Sequence, residues 1–460
     1  MKDKRRSEKI FLIVTAIACL VFYISFPMID GAVICKDSPS YMSMEFSREP
    51  IYPTFLTLMR ALFGQDSYTF GAVIVQSLLA SYASWRLAKL IYGISDSIKC
   101  GIGAAAFQFM VSLLNRFIAR RGSSYIECIM TEGICLSLFV LFTVQLYLFL
   151  DRRKISNLTG TAVYAFILID VRKQMMITVL MMIIMFFIYI LIREHELKKF
   201  LLLILIIPLI LVSDKLADRT YNLIVRGAFV EHGGNGTGFL TSLLYSSDKD
   251  KDAEAFKDPE LRSLYCEIMD ESEKQRLLYE YAGKGFTDLS THYADNYDAI
   301  QYGIIDPVIQ DYVSDELGIT DCVQKALSFD EICGRMSHVL IGRNMGRMFR
   351  VFVFNSMKGF INSVLRMNSI LNWAAMVLYG IYAGLMYRIK RDISRYGERG
   401  RKILLFAEVV ICGIIVNSLV VGVMIFAQPR YMIYSMGAFY TAMMLMISEV
   451  MHAGRKVRTE

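Results

Sequence analysis

Long apolar stretches with few or no charged residues recur along the chain, and they constrain its fold more than any other feature. An α-helix of about 20 residues, rising about 1.5 Å per residue, crosses a hydrocarbon layer of roughly 30 Å. Stretches of this kind predict about ten membrane-spanning helices, at residues 10–28, 70–91, 98–114, 125–150, 155–169, 175–192, 200–213, 370–389, 403–427 and 431–451. Only 20% of the residues are charged, and the mean hydropathy is +0.42. The sequence therefore predicts an all-α polytopic membrane protein, and it argues against a nucleic-acid-binding protein.

Charged residues are unevenly distributed along the chain. Residues 214–342 contain 24 acidic and 12 basic residues, whereas the remainder contains 19 acidic and 38 basic residues. The acidic region has apolar residues at helical spacing, so we expect a mostly helical, water-soluble insert outside the cytoplasm. The predicted organisation is an N-terminal transmembrane half with catalytic outer loops (1–213), the insert (214–342), an amphipathic interfacial segment (343–366) and C-terminal transmembrane helices (367–460).

Basic residues predict the orientation, because loops that stay in the cytoplasm carry an excess of Lys and Arg. Such residues cluster before the first predicted span, at residues 152–154 and at residues 388–402. All three clusters lie on one side of the membrane if both termini are cytoplasmic. We therefore expect a multi-pass protein of the cytoplasmic (plasma) membrane, embedded in the lipid bilayer, whose insert and first loop (30–67) face outward.

Several basic residues depart from this pattern, because they lie in predicted outer loops. Cationic side chains there need an anionic partner, or they must extend toward lipid headgroups. Their recurrence in separate outer loops indicates an outward-facing phosphate-binding region, with simple headgroup contact as the alternative. The residues are Arg48, Arg116, Arg120, Arg121, Arg172, Lys173 and Arg430.

The first outer loop carries a carboxylate close to the predicted membrane surface. Asp37 begins an Asp-Ser-Pro-Ser-Tyr sequence that follows the first apolar stretch. A carboxylate in this position is a candidate general base or metal ligand. The alternative is a turn or helix-cap residue, since Asp-Ser-Pro-Ser also suits a turn. Spacing alone favours this turn or helix-cap role.

The outer-loop motifs resemble those of the GT-C glycosyltransferases, and most closely the bacterial branch related to protein mannosyltransferases and aminoarabinose transferases. The resemblance comprises an outer Asp with Tyr four places on, an Arg-x-Pro-x-Tyr-Pro sequence, an acidic residue opening a long helix, a basic residue at a later outer turn and a C-terminal Arg-Tyr. It covers the membrane frame and does not include the insert. The matching positions are Asp37, Tyr41, Arg48, Tyr52, Glu132, Arg172, Arg430 and Tyr431.

The resemblance implies an inverting transfer of a sugar from a polyprenyl-phosphate donor to a hydroxyl of an extracytoplasmic glycan, lipid or cell-envelope acceptor. Asp37 would be the general base, and Glu132 would orient the substrate or join Asp37 in binding a divalent cation. Some family members have a paired Asp-Glu in the first loop, whereas position 38 here is Ser. The implied substrate-binding residues are Tyr41, Arg48, Tyr52, Arg172, Lys173, Arg430 and Tyr431.

Two other classes of function use similar residues. A flippase or other transporter of lipid-linked glycans requires charged groups within the spans, and Glu408 and Glu449 lie there. A glycan polymerase or ligase would use outer arginines with less dependence on a carboxylate. Within the transferase interpretation, Asp30 and Glu127 are alternative catalytic acids.

Overall fold

The structure is a computed structural model that describes residues 2–117, 123–365 and 371–459. Arg120, Arg121 and the predicted domain boundary after residue 366 lie outside these ranges. The described residues form helices and connecting loops without a β-strand, and one parallel bridge joins Val33 to Cys128. The predicted all-α class is confirmed.

The first half of the chain forms a bundle around α6, whose side chains are almost all buried. A 3₁₀ turn at Lys173–Met176 leads into α8, and a π-helical turn at Phe187–Ile192 extends it. The helices are α1 (Lys2–Asp30), α2 (Ser38–Met42), α3 (Ile51–Phe63), α4 (Tyr68–Ser95), α5 (Ile98–Phe117), α6 (Glu132–Arg152), α7 (Ile155–Val171), α8 (Ile177–Phe186), α9 (Leu197–Ile204) and α10 (Ile206–Arg226).

The acidic region folds around a hydrophobic core of its own, which contains the fully buried rings of Tyr265, Tyr293 and Tyr297. Asp258 and Asp321 accept backbone N–H groups at the starts of α13 and α16 and so cap these helices. Its helices are α11 (Thr237–Tyr245), α12 (Lys249–Ala253), α13 (Pro259–Lys274), α14 (Phe286–Ile300), α15 (Asp306–Asp311) and α16 (Cys322–Leu340), with a 3₁₀ turn at Tyr279–Tyr281 and π-helical turns at Gln301–Ile305 and Tyr312–Glu316. Helix α17 (Met345–Asn362) follows the acidic region.

The C-terminal part returns to the bundle. Gly397 has a φ of +59°, and it breaks the long helix α19 near its start. A left-handed conformation of this kind favours glycine, which has no Cβ to clash. The helices are α18 (Ala374–Arg391), α19 (Ile393–Met424), α20 (Pro429–Met432) and α21 (Met436–Thr459), with 3₁₀ turns at Leu371–Trp373 and Ile433–Ser435.

Seven helical segments among the described residues have the length and apolar composition needed to cross a membrane. The protein is therefore a multi-pass membrane protein, as its composition predicts. Helix α7 is also apolar but shorter. The seven segments are Lys4–Asp30, Ile98–Phe117, Glu132–Arg152, Lys173–Ile192, Leu197–Arg226, Ile393–Met424 and Pro429–Ala453.

Ion pairs identify two ends of the bundle. At one end Lys4 pairs with Asp96, Arg153 with Glu194, and Arg193 with Glu408. A cavity at this end is lined by Asp151 and Lys402 together with Arg193 and Glu408. We call this the basic end. At the opposite end of the same helices Arg116 pairs with Asp30, Arg172 with Glu132, and Arg430 with Asp37. We call this the site end, and the acidic insert joins the bundle here.

The predicted helix at residues 125–150 begins later than expected, at Glu132. Residues 123–131 instead form an irregular, buried loop. The side chain of Gln76 donates to the carbonyl oxygens of Ile126 and Cys128, at 2.6 and 3.0 Å. Since these carbonyls bond to a neighbouring helix, they do not need an intrahelical partner. The loop leaves Glu132 at the helix start.

The predicted interfacial segment contains α17, but its arginines contact the insert. Arg343 Nε donates to Asp252 Oδ1 at 2.9 Å, and Arg347 lies 3.7 Å from Asp248. Arg350 donates to the carbonyl oxygen of Lys284. These arginines therefore attach α17 to the acidic region and partly neutralise it.

Candidate functional site

Asp37 directly precedes α2, but its side chain does not cap that helix. Its Oδ2 atom instead accepts from Nη1 of Arg430 at 2.9 Å, across 393 positions of sequence. The Asp37 side chain is 29% exposed, so a molecule from solvent reaches it. The helix-cap interpretation of Asp37 is therefore wrong.

Ser38, the residue after Asp37, holds the first outer loop against the second. Its hydroxyl donates to the carbonyl oxygen of Ile129 at 2.7 Å and accepts from the backbone N–H of Cys35 at 2.7 Å. Val33 adds backbone hydrogen bonds to Glu127 and Ile129, at 2.8 and 3.0 Å. This pairing brings Asp37 to the side of the bundle where α6 begins.

Glu132 lies between two arginines at the start of α6. Its Oε1 atom is 2.5 Å from Arg172 Nη1 and 3.9 Å from Arg430 Nε, and its side chain is only 1% exposed. Arg172 also donates to the Thr131 hydroxyl at 3.4 Å. Asp37, Arg430, Glu132 and Arg172 therefore form one chain of alternating charges. In a buried setting each charge requires such an opposite neighbour.

The ring of Tyr431 supports both arginines. The guanidinium of Arg172 lies 4.5 Å from the ring centre, and that of Arg430 lies 4.9 Å away. Arg430 also donates to the Tyr431 hydroxyl at 2.8 Å and to Gln428 at 2.9 Å. The electron-rich face of an aromatic ring attracts cations, so one side chain fixes two guanidinium planes.

Arg48 reaches the same region from the first loop. Its Nε atom donates to the Ser40 hydroxyl at 2.8 Å, and its guanidinium lies 4.6 Å from the centre of the Tyr41 ring. Across the parts of the chain that the structure describes, Arg48 forms no ion pair with a carboxylate. Burial raises the pKa of Tyr41 to about 12, although Arg48 and Arg172 act in the opposite direction. Tyr41 is therefore a neutral hydrogen-bonding group.

Tyr52 and Lys173, both predicted to contact substrate, each bind a residue on another helix. Tyr52 is fully buried, and its hydroxyl donates to Gln76 at 2.9 Å while its ring packs against Tyr41. The Lys173 ammonium lies 2.8 Å from both carboxylate oxygens of Asp214 on α10. Tyr52 therefore supports Tyr41 from the interior of the bundle, and Lys173 attaches α10 to the site.

The remaining outer arginine and the alternative acids lie apart from this charge chain. Arg116 pairs with Asp30, and it is 3.6 Å from Glu127. Glu127 also accepts the backbone N–H of Ser124 at 2.7 Å. Both acids thus stabilise the loops and have local partners.

Buried and half-buried amides that the sequence interpretation missed position Arg430 and Tyr431. Gln174 and Asn417 donate to the carbonyl oxygen of Tyr431, at 3.0 and 2.7 Å. Asn355 accepts from the N–H of Ala427 at 2.8 Å and donates to the carbonyl oxygen of Ile425 at 2.6 Å. An amide inside an apolar stretch, such as Asn417, is the sequence signal that could have revealed them.

The two carboxylates were predicted to bind a divalent cation, but their surroundings do not fit one. Asp37 and Glu132 both contact Arg430, and Glu132 also contacts Arg172. A cation at this point would face two permanently charged guanidiniums. Among the described residues no group of three or more His, Cys, Asp or Glu side chains is placed to hold a metal ion.

No protein-family model matches the chain, and no curated protein or solved structure matches it either. The chemistry of the site is therefore inferred from its own contacts.

Proposed function

We propose that this protein is an inverting membrane glycosyltransferase, which moves a sugar from a polyprenyl-phosphate donor to a hydroxyl of an extracytoplasmic glycan, lipid or cell-envelope acceptor. One observation carries the proposal. A partly exposed carboxylate, Asp37, shares a network with two arginines from distant loops at one end of an apolar bundle. That combination supplies a base for an acceptor and cations for a phosphate.

The proposed topology has ten crossings. Helices α4, α7 and α18 would cross the membrane together with the seven apolar segments. The basic end would then be cytoplasmic together with both termini, as the positive-inside pattern predicts. The site end and the insert would face outward from the plasma membrane.

The arginines would bind the phosphate of the lipid donor. Arg172 and Arg430 are each 17% exposed, so their guanidiniums are accessible from one side only. Guanidinium binds phosphate oxygens through two parallel hydrogen bonds and keeps its charge at any physiological pH. Arg48 adds a cation without a carboxylate partner among the described residues. The polyprenyl chain would remain in the bilayer beside the apolar helices.

Asp37 would accept the proton of the acceptor hydroxyl. The hydroxyl oxygen forms a bond to the anomeric carbon as the bond between that carbon and the phosphate oxygen breaks. The electron pair of the broken bond leaves with the lipid phosphate, whose charge the arginines stabilise. Attack from the side opposite the phosphate inverts the anomeric centre. The products are the glycosylated acceptor, the free lipid phosphate and a proton on Asp37.

The two intramembrane carboxylates that suggested a transporter have local partners at the basic end. Glu408 is 2.6 Å from Arg193 and accepts from the hydroxyl of Tyr189. Glu449 pairs with Arg399. Because each is paired with an arginine, neither is an unpaired charge within the bundle.

The test uses the full chain in lipid nanodiscs with a panel of polyprenyl-phosphate sugars. We expect transfer or release of sugar from at least one donor. In Asp37→Asn the rate should fall by about 10²–10⁴-fold, because the amide cannot accept the proton. The exposed Asp66→Asn serves as a matched control and should retain activity. Use of no donor, or full activity in Asp37→Asn, would contradict the proposal.

A further inference from the structure

One face of the insert is turned toward the site. Asp298 on α14 and Tyr302 in the following π-helical turn are separated by about one turn, and both are exposed, Tyr302 by 57%. Their neighbours Tyr297, Ile300 and Ile304 point the other way and are buried in the core of the insert. The exposed pair is thus carried on a rigid support.

Hydrogen bonds fix that support beside the C-terminal Arg-Tyr. The Tyr297 hydroxyl donates to the carbonyl oxygen of Gly238 at 2.9 Å and lies 3.3 Å from that of Met424, the last residue of α19. The rings of Tyr297 and Phe426 are 5.3 Å apart. Phe426 lies in the short segment that leads from α19 to Arg430. The insert therefore contacts the segment that positions the site.

The charges of the site reach both side chains. Burial raises the pKa of Asp298, while the charges of Lys36 and Arg430 lower it and that of Asp37 raises it further. Burial also raises the pKa of Tyr302 to about 12, with contributions from Tyr431 and Asp37. The geometry agrees, because Tyr297, which directly precedes Asp298, contacts Met424 and Phe426 in the segment that leads to Arg430, the partner of Asp37.

An exposed aromatic ring next to a carboxylate suits a sugar. The carboxylate accepts hydrogen bonds from neighbouring hydroxyls, and these charge-assisted bonds are stronger than neutral ones. The flat ring covers the apolar C–H face of a pyranose at low entropic cost. Tyr302 also lies in a π-helical turn, a distortion that is frequent at functional sites.

We propose that Asp298 and Tyr302 form a sugar-binding subsite for the acceptor, on the solvent side of Asp37. The donor phosphate belongs with the buried arginines, so an acceptor must approach from the exposed side of Asp37, where the insert lies. The acceptor would therefore be a sugar whose ring carries hydroxyl groups. The role of the bound sugar as acceptor rests on the proposed function, whereas the binding of a sugar at these two residues does not.

The experiment measures binding without catalysis. Saturation-transfer NMR on the full chain in nanodiscs would use a panel of methyl glycosides of common hexoses. We expect the wild type to bind at least one, and Asp298→Asn and Tyr302→Ala to weaken it at least 10-fold. Tyr302→Phe, which keeps the ring, should retain most of the binding. Tyr281→Ala and Asp311→Asn change exposed residues of the same two types elsewhere in the insert. These matched controls should bind the glycoside like wild type.

The outcomes separate this subsite from the transferase proposal. If no glycoside binds, or if both variants bind like wild type, the subsite is wrong, even where a polyprenyl-phosphate donor is used. If binding depends on both residues but no donor is used, the subsite stands and the transferase proposal fails. With an active donor, both variants should raise the KM for the acceptor and leave that for the donor unchanged.

Discussion

Both ends of the bundle place an arginine between a glutamate and a tyrosine ring. At the site end Arg172 is 2.5 Å from Glu132 and 4.5 Å from the centre of the Tyr431 ring. At the basic end Arg193 is 2.6 Å from Glu408 and 4.2 Å from the Tyr189 ring. The local geometry is therefore almost the same at the two ends.

The surroundings of these two triads differ. Arg193 is 41% exposed and has one acidic partner, so the basic-end triad is neutral and open to water. Glu132 is buried and shared by two arginines, Asp37 adds a second carboxylate, and Arg48 adds a cation. An Arg–Glu–Tyr triad is thus not diagnostic of function by itself. The distinguishing property of the site end is a buried, shared network with a further cation, Arg48, beside Tyr41.

The largest expected difference between the ends is their accessibility from outside the cell. In a Cys322→Ser background, an impermeant thiol reagent should label Glu254→Cys in the insert and not Ser394→Cys at the basic end. Both introduced positions are exposed to solvent, and Cys322 is the exposed native cysteine among the described residues. Labelling with the opposite pattern would place the site in the cytoplasm and would contradict an extracytoplasmic transferase.

Removal of the glutamate charge should affect the two triads unequally. Glu132→Gln leaves the mostly buried Arg172 without its close partner, which typically costs about 3–5 kcal/mol of folding free energy. Glu408→Gln leaves a half-exposed Arg193 that water solvates, so the loss should be about 1 kcal/mol or less. Thermal unfolding in detergent compares the two. Equal losses would show that burial does not distinguish the ends.

The smallest expected effect is on the KM for the donor, and it concerns Arg48, which forms no ion pair among the described residues. Arg48→Ala should raise the KM for the polyprenyl-phosphate donor about 10- to 150-fold, since a charged hydrogen bond contributes about 1.5–3 kcal/mol. Arg60 provides the control, because its guanidinium also stacks on a tyrosine, 4.6 Å from the centre of the Tyr68 ring, and is not part of the network of Asp37 and Glu132. Arg60→Ala should leave the KM unchanged. A similar rise in both variants would indicate a structural role for Arg48.

The sequence predicted several parts of the site because the signals are local. Glu132 opens a long apolar helix, and the three arginines Arg48, Arg172 and Arg430 depart from the basic pattern of the other loops. The structure brings Arg172 and Arg430 together with Glu132 and Asp37. The direction of Lys173 and the burial of Tyr52 could not be predicted, because each depends on a partner from another helix, Asp214 or Gln76.

The sequence by itself determined the helical class, the apolar segments and the helical character of the insert, since composition and periodicity act over a few residues. Only the tertiary structure decided that residues 123–131 leave the helix, because Gln76 on α4 satisfies their carbonyl groups. It also decided that Asp37 contacts Arg430 rather than caps α2. A buried charge takes whichever partner the packing of distant segments supplies, and that partner is not written in the neighbouring sequence.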